Sequence, residues 1–149
     1  MRLILFLFCF TILACHTPSK IGYARTGEVT CDGHTKQEIS VRSVARSSTP
    51  SEAILFAERN VMENILFKGI PECNQQIAMI SDETTFMNKY RSDYQQFIQS
   101  DYVHYITGSE TIASDRSGNV SVLTQKVSVD ISALRKELEN RGWIRKFGF

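Results

Sequence analysis

Few side chains in this 149-residue sequence have the type and spacing to do chemistry, and the cysteines come first. Cys31 and Cys73 lie far apart and fit neither a CxxC redox motif nor a four-ligand zinc site. They either form one disulfide, which an oxidising compartment favours, or stay as two buried thiols. Closing so long a loop stabilises a fold by roughly 4 kcal/mol through lost chain entropy. His34 and His104 have no Asp, Glu or Cys at ligand spacing and read as ordinary strand or turn residues. Glu58 is different, because helical spacing puts it between Met62 and Ile65 on an apolar stripe. A carboxylate there needs a partner or water, so either Arg42 or Arg46 pairs with it or it reaches solvent from the edge of the stripe. No GxxxxGK[ST], GxGxxG, HExxH or GxSxG occurs, which removes the common nucleotide, zinc-protease and esterase signatures. The expectation is a protein that is not an enzyme and carries no cofactor or metal.

The chain opens with one cation, Arg2, then an apolar run from Leu3 to Leu13 and small Ala14, which is signal-peptide order. A membrane-spanning helix needs roughly 20 apolar residues. This run stops at Cys15 and is followed by polar His16, Thr17, Pro18, Ser19 and Lys20. Ile12-Leu13-Ala14-Cys15 resembles the lipobox of bacterial lipoproteins, with Ile12 where Leu is usual and Leu13 where a smaller residue is usual. The resemblance implies cleavage before Cys15 and lipid on that cysteine as the link to the membrane. The alternatives are an ordinary signal peptide that happens to contain a cysteine, or a retained anchor. The lack of acid in residues 16–20 is similar to outer-membrane lipoproteins and implies a place in the cell envelope, facing the periplasm. Of 17 basic and 16 acidic residues, only Arg2 falls within residues 1–14, so the remainder is balanced and carries no nucleic-acid footprint.

The elements that must position these residues follow from periodicity. Residues 15–23 suit a mobile tether, and residues 24–149 are enough for one domain. Strands are predicted over 27–31 and 37–46, with Asp32-Gly33 as their turn. Thr49-Pro50-Ser51-Glu52 starts a helix that runs to Phe67 or Lys68 and is ended by Gly69 and Pro71. On it Ile54, Val61 and Ile65 share one face, flanked by Leu55, Met62 and Leu66. Phe56 and Phe67 lie opposite, so the helix packs on two surfaces. A second helix over 82–99 gathers Phe86, Met87, Tyr90, Tyr94, Phe97 and Ile98 on one strip. A hairpin follows, from Tyr102 to Ser114, turning at 115–119 and returning over 120–129. Val120 and Val122 point away from Leu123, Val127 and Val129, so either a bulge near Val122 or two partly covered faces is expected. A last helix over 131–141 turns Leu134 and Leu138 inward. The order ββααββα gives a two-layer α+β sandwich with a mainly antiparallel sheet.

Two segments resemble a set of uncharacterised envelope lipoproteins from Bacteroides-type bacteria. One is Arg59-Asn60-Val61 with Leu66-Phe67-Lys68-Gly69-Ile70-Pro71. The other comprises Val127, Val129, Leu134, Arg135, Lys136, Leu138, Glu139, Gly142, Ile144 and Arg145. This resemblance implies place and fold and brings no activity. A looser similarity to small envelope domains attached to surface and flagellar assemblies implies the same sandwich.

At the end of the sequence Arg141, Trp143, Ile144, Arg145, Lys146, Phe147 and Phe149 mix cations with large apolar groups. That mixture is a candidate interface for a protein partner or an anionic lipid surface. The alternative is a C-terminal strand or coil that covers the sheet with its charges outward. The favoured function is a membrane-anchored binding or assembly module of the cell envelope with a protein partner. Set against it are an envelope enzyme without a recognisable motif, and a structural or small apolar ligand-binding protein. The anchor is testable directly. Cys15→Ala is expected to release the protein from membranes or leave it unprocessed, read by fractionation and intact mass. A processed Cys15→Ala protein that stays firmly on the membrane contradicts lipidation.

Overall fold

The computed structural model describes residues 21–146, so the leader with Cys9, the lipobox, Cys15, and the C-terminal Phe147 and Phe149 lie outside the described residues. The elements are β1 (Val29–His34), β2 (Glu38–Ser47), α1 (Pro50–Phe67), α2 (Glu83–Gln99), a 3-10 turn (Asp101–Tyr105), β3 (Ile106–Ser117), β4 (Val120–Asp130) and α3 (Ile131–Asn140). The strands form one antiparallel sheet in the order β1-β2-β4-β3. The fold is therefore α+β with the ββααββα order predicted by periodicity.

The two central strands carry the apolar alternation. β2 turns Ile39, Val41 and Ala45 inward, and β4 turns Leu123, Val127 and Val129 to the same side. Their pairing runs unbroken from Glu38 opposite Asp130 to Ser47 opposite Ser121. No bulge forms at Val122; Val120 and Val122 stay half-buried on the outer face while Ser121 and Gln125 share the inner one. The irregularities fall on the edge strands instead, between Cys31 and Gly33 in β1 and at two points in β3. The predicted turn at Asp32-Gly33 is thus interior to β1. The chain reverses at residues 35–37, where the Thr35 hydroxyl accepts from the Gln37 and Glu38 N–H groups at 3.2 and 3.0 Å.

Helix α1 begins as its sequence dictates, with the Thr49 hydroxyl accepting from Glu52 N–H and Pro50 in the first turn. It ends at Gly69, whose φ of +79° and close approach to the Gln76 carbonyl leave no room for a Cβ. The helix lies against β2 and β4, and from Asn60 to Leu66 every residue is buried. A helix packed on the sheet alone would keep one wet face. This one is covered on its other side by α2 and by residues 21–26. Leu55, expected beside the apolar stripe, is the exposed exception at 53%. Of the expected tether, the described residues 21–23 pack on α1, where Tyr23 edges onto Phe56 at 5.4 Å, and just beyond them Thr26 N–H donates to Asn60 Oδ1 at 2.8 Å. Leu134 and Leu138 of α3 complete the core, and a disulfide joins Cys31 to Cys73 in the loop that follows α1.

Candidate functional site

The most buried carboxylate among the described residues is Glu63, five residues beyond the Glu58 picked out from helical spacing and on another face of α1. The Tyr23 and Tyr94 hydroxyls each donate to it at 2.8 Å, and Arg59 Nε donates at 3.0 Å. Three donors satisfy a carboxylate that is almost fully withdrawn from water. Burial, followed by the negative charge of Glu63, holds both tyrosine hydroxyls protonated far above the ordinary phenol range. The amides beside them are satisfied as well, with Asn60 donating to Ser43 and Thr26, and Asn64 to the Thr26 carbonyl. Among the described residues no buried side-chain nitrogen or oxygen lacks a partner.

Glu58 itself is half-buried and accepts from Ser109 at 2.5 Å. Burial, with Glu58 nearby, pushes the Tyr102 hydroxyl up to about 12. The arginines expected as partners of Glu58 lie on the outer face of the sheet. Arg42 pairs with Asp32, which Lys126 also reaches at 2.7 Å, and Arg46 pairs with Glu28 at 3.0 Å.

The C-terminal candidates separate into two groups. Arg141 is engaged in ion pairs with Asp101 (2.9 Å) and Glu137 (2.7 Å), and its guanidinium sits 5.3 Å from the ring centres of both Phe97 and Trp143. Trp143 is a core residue, 7% exposed, with ring contacts to Phe86 at 5.0 Å and Phe97 at 5.4 Å. Both are held by internal contacts, because the turn at Gly142 (φ +69°) folds the chain back onto α2. Ile144 is half-buried, and Arg145 and Lys146 are exposed.

This fold-back creates a groove of about 630 Å³ between the start of α2 and residues 142–145. Its apolar lining comes from Ile80, Phe86, Tyr90, Trp143 and Ile144, and the exposed cations Lys89 and Arg145 border it. Asp82 also lines it, but its carboxylate caps α2 by accepting from the Thr85 N–H at 2.9 Å and hydroxyl at 2.7 Å. Tyr90 locks the two walls by donating to the Gly142 carbonyl at 3.0 Å, at the one residue of α2 with non-helical φ and ψ. Periodicity places the rings on one strip of the second helix, and composition makes the C-terminal segment a candidate interface; that the two meet in one groove depends on Gly142, which sequence spacing does not reveal.

No protein-family model, curated protein sequence or solved structure matches this chain.

The tyrosine shifts set a direction for alkaline behaviour. A folded-state pKa raised above the ordinary 10.0 adds stability that is full below that value and is lost as pH rises beyond it. Alkaline titration by phenolate absorbance is expected to show two tyrosines that ionise only with unfolding. Glu63→Gln is expected to bring their ionisation closer to 10.0, and unchanged titration curves contradict the Glu63 assignment.

Proposed function

We propose that the protein is a lipid-anchored module of the bacterial cell envelope that docks a protein partner in the groove between α2 and residues 142–145. The observation that carries this reading is the groove's composition, an aromatic and aliphatic floor bordered by the two exposed cations Lys89 and Arg145. A buried aromatic surface supplies affinity, and rim charges supply orientation and encounter rate. The complementary occupant is a peptide segment with an apolar side chain for the floor and a carboxylate for Lys89 or Arg145. The anchor rests on the lipobox-like Ile12-Leu13-Ala14-Cys15. No helix among the described residues is long and apolar enough to cross a membrane, which is compatible with attachment by lipid. Glu63, Tyr23 and Tyr94 do not line the groove and serve its framework.

Crosslinking in native envelopes, with peptide-level mapping by mass spectrometry, tests this proposal. The wild type is expected to capture one dominant protein, linked through a segment bearing both acidic and apolar residues. Lys89→Glu with Arg145→Glu is expected to reduce that capture by about tenfold or more, equivalent to at least about 1.4 kcal/mol, without unfolding the domain. Cys15→Ala is expected to lose capture through mislocalisation. Equal capture by the charge-reversed protein, or crosslinks that map away from the groove, contradicts the site.

A further inference from the structure

We infer that Cys31, His34 and Cys73 form a soft-metal site that is closed while their disulfide is intact and opens when a dithiol reduces it. The evidence begins in the backbone. Side chains alternate along a strand, so residues three positions apart point to opposite faces. Cys31 and His34 break that rule because the register of β1 shifts between Cys31 and Gly33. Cys31 then lies opposite Val41 and His34 opposite Ile39, and both partners belong to the buried face of β2. The extra residue therefore turns the imidazole to the same side as the sulfur. Asp32, between them, goes outward to Arg42 and Lys126. Cys73 reaches the same point from the loop after α1.

The outcome is three ligand atoms within 4.8 Å of one another, with Cys31 Sγ and His34 Nδ1 4.0 Å apart. A tetrahedral ion with metal–sulfur bonds of about 2.3 Å and a metal–nitrogen bond of about 2.0 Å holds sulfur and nitrogen about 3.5 Å apart. His34 is thus nearly in place, and the main movement required is separation of the two sulfurs. Cys73 lies in a loop, where such a movement does not disturb the sheet. Exposed His34 leaves one side open to solvent, so water or an outside ligand fills the fourth position. Two thiolates and one imidazole suit Zn(II), Co(II) and Cu(I). The chemistry balances: the dithiol gives two electrons and two protons to the Cys31–Cys73 bond and becomes a disulfide itself. The two protein thiols then release their protons as the metal binds.

Cobalt(II) is the probe, used on the full chain in detergent with Cys9→Ser and Cys15→Ser so that only this pair of cysteines remains. After reduction with dithiothreitol and its anaerobic removal, titration is expected to develop a thiolate-to-cobalt charge-transfer band that saturates at one ion per chain. The disulfide form is expected to show no band. His34→Ala is expected to weaken binding by more than the roughly tenfold that loss of an outer-shell partner already costs, and Cys31→Ser to abolish the band. No band in the reduced protein, or equal affinity after His34→Ala, overturns the site. If reduction unfolds the protein, circular dichroism supplies the readout. Zn(II) then restores the folded spectrum with His34 present and not in His34→Ala, and failure to restore it overturns the inference.

Discussion

The structure depends on satisfying one carboxylate inside the protein with hydrogen-bond donors. Glu63 is buried between α1 and α2, and an unpaired charge there would be strongly destabilising. Its partners come from three segments: Tyr23 from the N-terminal strap of residues 21–26, Arg59 from α1 itself and Tyr94 from α2. Satisfying one charge therefore fixes three parts of the chain relative to each other. The cations near it also work through rings. Arg59 lies 4.1 Å from the centre of Tyr23, and Arg25 lies 5.4 Å from Phe67 while pairing with Glu83 at the start of α2. Such contacts hold a polar layer with the directional specificity that apolar packing lacks.

The groove follows from that placement. α2 is held to α1 by Tyr94 on Glu63 and by the rings of Phe67, Phe86 and Tyr94, which approach one another at 5.6 to 5.9 Å. Once α2 is set, Phe86 and Phe97 receive Trp143, Arg141 closes over that ring from its pairs with Asp101 and Glu137, and Tyr90 holds Gly142. The residues that shape the groove are thus occupied internally, and Lys89 and Arg145 are left toward solvent. In the proposed function the strap has a second consequence. Chain reach from Cys15 to Ile21 is at most about 20 Å, so lipid on Cys15 would keep Ile21 within about that distance of the membrane surface.

Much of this architecture was legible in sequence because local signals agreed with the global fold. Thr49-Pro50 starts a helix by capping, the alternation in β2 and β4 identifies the sheet interior, and the ring strip from Phe86 to Phe97 packs into the core. The differences share a physical origin in burial from a second side. Glu58 lies on the stripe that faces the sheet and reaches Ser109 at its margin, whereas Glu63 lies on the face that only α2 and the strap cover. A helical wheel does not know what will cover its far side. Asp32-Gly33 has turn residues but is used as a bulge, and that bulge brings His34 beside Cys31 against the strand period. Arg141 and Trp143 have the composition of an interface and are consumed in core contacts, because the fold-back at Gly142 is a tertiary event.

The account rests on Glu63 as the tie between strap, α1 and α2, and native-state hydrogen exchange of the wild type against Glu63→Gln measures that tie most directly. The Thr26 amide and the amides of α2 around Tyr94 are predicted to lose protection by about tenfold or more, equivalent to at least about 1.4 kcal/mol, while those of the β2–β4 pair change less. Equal protection in the two proteins, or a uniform loss that includes the central strands, would contradict it.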